Sequence, residues 1–192
     1  MSFEELQSLF SLEGINKSPA IFDEAKMKWL NGLYIKELSE EDFLKMATPY
    51  FDNSKVKGKY DYRKLAKLVQ GRVEILTEIA EKVDFLEEFG DFDQELYVNS
   101  KQKSDKEVAK EVLPKVREVL ANVDDWQNST LYAKLVELAT NMGKKNSAIL
   151  WPTRVAISAK QSTPGGATEL AELLGKDETL RRLDYSIELL NK

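Results

Sequence analysis

The chain has 192 residues, of which 42% are hydrophobic and 32% charged, and a net charge of −5. That is the profile of a globular protein with one large domain or two small ones. It contains no cysteine and no histidine, which excludes disulfides, thiolate chemistry, His–Cys metal sites, a Ser–His–Asp triad and a histidine base. No apolar run approaches the roughly 18 residues needed to cross a bilayer. Nor does the sequence hold a GxxxxGK[ST] or GxGxxG phosphate loop, or an Asp/Glu spacing that suggests a metal site, so a complete enzyme is not expected. The opening MSFEELQSLF has no cationic leader. With the absence of cysteine, this points to a cytoplasmic protein.

Helical patterns dominate. Phe3, Leu6, Phe10 and Leu12 predict a short amphipathic opening helix ended by Gly14. Ile15 to Phe22 reads as a loop with Pro19. Asp23 is placed to cap the next helix, with Met27, Leu30, Tyr34 and Ile35 on one face. Gly32 inside it costs about 1 kcal/mol relative to alanine and marks a kink or a close approach. Ser39 and Asp42 read as a capping-box-like start of a helix that stops near Pro49. Phe51 to Tyr60 reads as a polar loop. It opens the most basic stretch, Asn53 to Arg72, where Lys55, Lys57, Lys59, Arg63, Lys64, Lys67 and Arg72 face the single acid Asp61.

Arg72 falls at a helix end or in a turn eased by Gly71. The helical period continues through Val73, Ile75, Leu76, Ile79 and Ala80, and Phe85, Leu86, Phe89 and Phe92 are the expected core of an acidic segment broken at Gly90. Val98 to Ser104 is the best linker. Ser104 and Glu107 suggest a second capping box, and Pro114 predicts a kink or a break in the helix that follows. Ser129 or Thr130 is expected to cap a helix ended by Gly143. Ser147 opens the next, in which Pro152 is tolerable only in the first turns. A QSTPGG turn, a short helix closed by Gly175 and a helix from Glu178 to Leu190 complete an all-α chain of two packed bundles.

The segment from Leu138 to Thr168 has no acid but keeps Lys144, Lys145, Arg154 and Lys160. Its Gly-rich turn could present backbone amides and a helix N-terminus to an anion or a base edge. Trp151 and Arg154 are of the types that stack on and hydrogen-bond to unpaired bases. Taken singly, each has a plainer reading. Trp151 would fill core, Arg154 would be a solvated charge, the turn would be a helix entry, and the Asn53–Arg72 run would be a solvated face.

Three stretches together resemble one family. Phe22-Asp23 with Lys26, Trp29-Leu30-Asn31-Gly32 and Tyr34-Ile35 is similar to FDxxKLxWLNGxYI. Leu68-Val69-Gln70-Gly71-Arg72 follows. Trp151-Pro152 with Arg154, Ser162-Thr163-Pro164-Gly165, Leu173-Leu174-Gly175 and Leu180-Arg181-Arg182-Leu183 form the third. In this order they resemble the C-terminal, anticodon-binding region of bacterial glutamyl-tRNA synthetases. That resemblance implies an anticodon-binding cage of two helical subdomains, residues 38–96 and 97–192, preceded by the end of a stem-contact region, 1–37. It implies that Arg72 reads the third anticodon base, and that Trp151, Arg154, Thr163, Pro164 and Gly165 contact the other bases. A glutamine at the position of Arg72 accompanies relaxed discrimination, so Arg72 implies a discriminating enzyme. Lys26 and Asn31 would face the tRNA stem, and Lys55, Lys57, Lys59, Arg63 and Lys64 its backbone.

The implied partner is a glutamate-accepting tRNA, with neither DNA nor a membrane expected, and a monomer as the working form. The signatures of the catalytic half are missing, so the chain reads as a non-catalytic fragment. It has no cofactor or metal of its own, and ATP and Mg²⁺ belong to the full-length enzyme. The rival readings are the corresponding part of a class I lysyl-tRNA synthetase and a helical protein-interaction module without RNA function.

Overall fold

A computed structural model describes residues 3–12, 14 and 21–192. The loop expected around Pro19 lies outside these residues. Among the described residues the protein is all-α. The helices are α1 (Phe3–Leu9), α2 (Glu24–Glu37), α3 (Glu40–Asp52), α4 (Tyr62–Val69), α5 (Ile79–Asp84), α6 (Lys106–Ala121), α7 (Asn128–Asn141), α8 (Asn146–Ser158), α9 (Ala167–Leu174) and α10 (Lys176–Leu190). Short 3-10 turns at Gln70–Arg72, Leu76–Glu78, Gln94–Tyr97 and Ser100–Gln102 join them.

Helix α3 packs on α4 and α5 around Phe43, Ala47, Phe51, Leu65, Val69 and Val83. Helix α8 touches α6, α7, α9 and α10. It is apolar around most of its circumference, as a helix enclosed on all sides must be. Its two fully buried hydroxyls are satisfied locally, Thr153 donating to the Ile149 carbonyl at 2.7 Å and Ser158 to that of Arg154 at 2.7 Å. One continuous apolar cluster runs from Phe43 through Leu86 and Val116 to Leu183.

The seam between the α3–α5 group and the α6–α10 group carries a buried cation. Arg182 on α10 is 2% exposed. It donates to the Ile157 carbonyl at 2.8 Å, to the Leu86 carbonyl, and through Nε to Glu178 at 2.6 Å. Glu178 also receives two bonds from Arg181 at 2.7 Å. Beside the seam, the absence of a side chain at Gly165 is required. A Cβ there would lie 2.5 Å from Leu68 Cδ1.

Local signals were read correctly where the partner is local. Asp23 accepts from the Lys26 amide and Ser39 from that of Asp42, and Gly143 and Gly175 end their helices at positive φ. Gly32 marks a close approach, since a Cβ there would meet Glu74 at 3.2 Å. Of the three prolines inside helices, Pro49 does not end α3 and Pro114 does not break α6. The carbonyls they leave open belong to Lys45 and Lys110. Those residues and both prolines are exposed, so water can take the lost bond while the opposite face stays buried. Pro152 likewise sits in the second turn of α8, within the core.

Other expectations give way to tertiary contacts. Phe51 is fully buried in α3, and Val56 is buried in the expected polar loop. Helix α6 is capped by Asp105, not Ser104. The side chain that binds the first amide of α7 is Glu172 of α9, at 2.9 Å from Asn128 N, in place of Ser129 or Thr130. Helix α10 starts at Lys176, two residues early. The expected linker is a packed turn, closed by the Asn99–Ser104 bridge and held by Ser147. Of the α2 stripe only Ile35 is buried, and Met27, Leu30 and Tyr34 are exposed.

Two outcomes test this packing. Ala159 caps α8 at φ +54°, in the left-handed region that glycine occupies without strain. Ala159→Gly is expected to raise unfolding stability by about 1 kcal/mol, read by urea denaturation. Glu178 is held at about 2, below its ordinary 4.5, first by its bonds from Arg181 and then by Arg182. A depressed carboxylate stabilises the fold above its unfolded value and loses that contribution as pH falls through its folded value. The stability gap between the wild type and Glu178→Gln should therefore narrow between pH 4.5 and about 2.

Candidate nucleic-acid interface

A cleft of about 760 Å³ opens between the Gln70–Arg72 turn, α7, α8 and the turn before α9. Arg72, Trp151, Arg154, Thr163 and Gly165 all line it. They come from chain positions up to 93 apart, and the seam described above brings them to one surface.

Arg154 is the most constrained of these. Its Nη1 donates to Thr163 Oγ1 at 2.9 Å, its Nη2 to the Gln161 carbonyl at 2.7 Å, and its guanidinium lies 4.4 Å from the Trp151 ring centroid. Burial pulls its pKa down from the ordinary value, but a guanidinium stays cationic at neutral pH. Thr163 in turn donates to the Gly165 carbonyl at 2.7 Å. Arg72 is exposed and donates from Nη1 to the Leu68 carbonyl at 2.9 Å. With five N–H donors on each guanidinium, both arginines keep donors for a ligand.

Trp151 lines the cleft and is itself anchored. Its indole N–H donates to the Leu96 carbonyl at 3.1 Å and one ring face carries Arg154. The contact restricts the orientations open to that guanidinium. Pro164 is buried and does not line the cleft. At the N-terminus of α9 the Gly166 amide donates to Glu169 at 2.8 Å, which places a carboxylate beside the turn.

Part of the basic run is paired within the protein. Lys55 pairs with Glu88, Lys59 with Glu87, and Lys64 with Glu172 at 2.8 Å. Pairs this exposed add little stability, yet they cancel much of the local positive potential. Among the described residues, Lys57, Arg63 and Lys67 have no ion pair. In the acid-free segment Lys144 is taken by Glu111 at 2.8 Å. Lys26 is exposed on α2, away from the cleft, and Asn31 donates to the Glu74 carbonyl.

Tyr132 of α7 also lines the cleft with 47% of its surface exposed. It was not among the residues expected at the site. The signal was available: Leu131, Leu135 and Leu138 define the buried stripe of α7, and Tyr132 stands one residue off it.

Comparison with known proteins places this geometry. A family model described as an anticodon binding domain matches residues 42–187. The chain is similar to the glutamate–tRNA ligase of Clostridium acetobutylicum, 41% identical over 192 residues, covering 100% of this chain and 40% of that protein. The corresponding protein of Clostridium tetani is 44% identical over 189 residues, covering 98% and 38%. The chain thus spans about two-fifths of the length of these relatives. Among solved structures, a glutamate tRNA ligase from Elizabethkingia meningosepticum in complex with its amino acid superposes with a TM-score of 0.77 at 23% identity, covering 99% of this chain and 37% of that one. At that identity the likeness speaks for the fold alone. A match that covers most of the chain, on a fold whose cleft collects two arginines, makes it a member of the anticodon-binding domain family.

Proposed function

We propose that this chain is the anticodon-reading part of a glutamate–tRNA ligase, holding the splayed anticodon bases of a glutamate-accepting tRNA. The observation that carries the reading is the convergence of Arg72 with Arg154 and Thr163 on one cleft. The names of the relatives supply the amino acid. We divide the chain into the end of a stem-contact region, 1–37, and two anticodon-binding subdomains, 38–96 and 97–192, acting as a monomer in the cytoplasm with neither DNA nor a membrane as partner.

Arg72 reads the third base. A guanidinium is a rigid fork of donors that suits the O2 and N3 acceptors of cytosine. The N1–H and N2–H₂ edge of guanine meets it donor against donor and leaves buried groups unpaired. Arg154, stiffened by Trp151 and by the Thr163 hydroxyl, offers its remaining N–H groups to the other two bases. Pro164 acts from within, fixing the Thr163 turn. Lys57 and Arg63 are the expected phosphate contacts, joined by Lys55, Lys59 and Lys64 when their carboxylates are exchanged for phosphate. Lys26 is assigned to the stem.

Joining glutamate to tRNA in the parent would use ATP and Mg²⁺. The residues here do not fit either. The sequence has no phosphate loop, and among the described residues no three His, Cys, Asp or Glu converge on a metal-sized site. No step of that reaction is assigned to this chain.

Titration with a glutamate anticodon stem-loop at two salt concentrations tests the reading. Salt-weakened binding that exceeds binding of a lysine anticodon loop supports it, and absence of RNA affinity sinks it. Arg72→Gln should reduce the preference for a C over a G at the third base by about 1–3 kcal/mol, the worth of one bidentate base contact. Arg154→Ala should weaken both loops alike, by about 1–3 kcal/mol, as read by fluorescence anisotropy.

A further inference from the structure

The backbone on each side of Arg72 is fastened to α2. Two residues before it, the Gln70 side-chain amide donates to the carbonyls of Ile35 at 3.1 Å and Leu38 at 2.8 Å. These lie at the C-terminal end of α2, where a helix leaves carbonyls without intrahelical partners. Two residues after it, the Glu74 carbonyl accepts from the Asn31 side-chain amide. The Glu74 amide is also occupied, donating to Glu78 at 3.0 Å. Between the two fastenings the surfaces touch without slack, as a Cβ on Gly32 would stand 3.2 Å from Glu74 Cγ and 3.3 Å from its Cα. Val73, next to Arg72, is 1% exposed.

We propose that Gln70 and Asn31, with Gly32 as the contact surface, are positioning residues for Arg72. They pin the turn to α2 and so set the discrimination between a C and a G at the third anticodon base. The proposal rests on the reading of Arg72 given above. An exposed arginine samples many rotamers, and a donor fork discriminates only when it is held to a fraction of an ångström. The bond from Arg72 to the Leu68 carbonyl fixes one guanidinium nitrogen relative to α4. The two amides fix where its Cα starts. Asn31, expected to face the tRNA stem, has its side-chain amide committed to this task. Helix α2 lies before residue 42, where the family match begins, so part of the specificity is supplied from outside the matched domain.

The test measures dissociation constants for two anticodon stem-loops, with C or G at the third base, alongside thermal melts. Gln70→Ala and Asn31→Ala are each expected to cut the C-over-G preference about tenfold, as loss of an outer support does for an oriented metal ligand. In an Arg72→Ala background the same changes should move that preference by less than about twofold, the scatter of independent sites. Gly32→Ala keeps both amides and presses on Glu74, and it should lower the preference in the same direction even if Gln70→Ala does not fold. A merely structural role would weaken both loops equally in either background. That outcome overturns the proposal, as does a preference left intact by Gln70→Ala and Gly32→Ala while Arg72→Ala abolishes it. A preference untouched by Arg72→Ala overturns the base-reading role and the positioning role with it, so the two failures are separable.

Discussion

Everything about the cleft depends on a charge buried at the seam. Placing Arg182 at 2% exposure would be prohibitive for an unpaired cation. It is tolerated because Glu178 supplies the countercharge and two main-chain carbonyls, Leu86 and Ile157, take further N–H groups. The Phe89 ring adds a face 4.6 Å from the guanidinium carbon. The carbonyls come from opposite sides of the seam. Sliding one helical group against the other would break the Leu86 bond and leave a buried N–H of Arg182 unpaired, which favours one register of docking.

The same device recurs in milder form. Gln94 donates to the Leu189 carbonyl, Trp151 to that of Leu96, Trp126 to that of Ala171, Lys176 to that of Val123, and Gln70 to those of Ile35 and Leu38. Short helices and 3-10 turns have many ends for their length, and each end leaves carbonyls unpaired. Long polar side chains from neighbouring elements satisfy them. Bonds of this kind are directional, unlike apolar contacts, and they fix relative orientation as well as proximity. A cleft assembled from two helical groups needs that property, because Arg72 and Arg154 have no direct connection of their own.

What was legible in the sequence follows the range of the interactions. Asp23, Ser39, Gly143 and Gly175 act within a few residues, and their roles were read from the chain alone. The stop expected at Pro49 and the break allowed at Pro114 do not occur, because tolerance of a proline depends on which face of the finished helix meets water. The first amide of α7 is bound by Glu172, and Lys64 is neutralised by the same Glu172 from 108 residues away. No local pattern carries that information. The site divides likewise. Residue types in the Ala148–Gly175 stretch pointed to base contact, but the meeting of Arg72 with Arg154 came from family resemblance and lies beyond any periodicity argument. Tyr132 stood off its apolar stripe in plain view. Pro164 resembled its neighbours in sequence and differs from them in standing off the cleft.

The charge distribution constrains how such a protein can bind RNA. Its net charge is −5, and the carboxylates of Glu87, Glu88 and Glu172 hold three of the seven cations of the basic run. Long-range attraction to phosphate is therefore weak, and nonspecific RNA gains little by approaching. Binding energy must come from short-range donors that a ligand meets only after it fits the cleft. On the proposed reading an unpaired base edge would satisfy the free N–H groups of Arg72 and Arg154, whereas a duplex buries those edges in pairing. Pairing off the surrounding lysines costs affinity for polyanions in general, and on the proposed reading it leaves the fit of three bases to decide which RNA is retained.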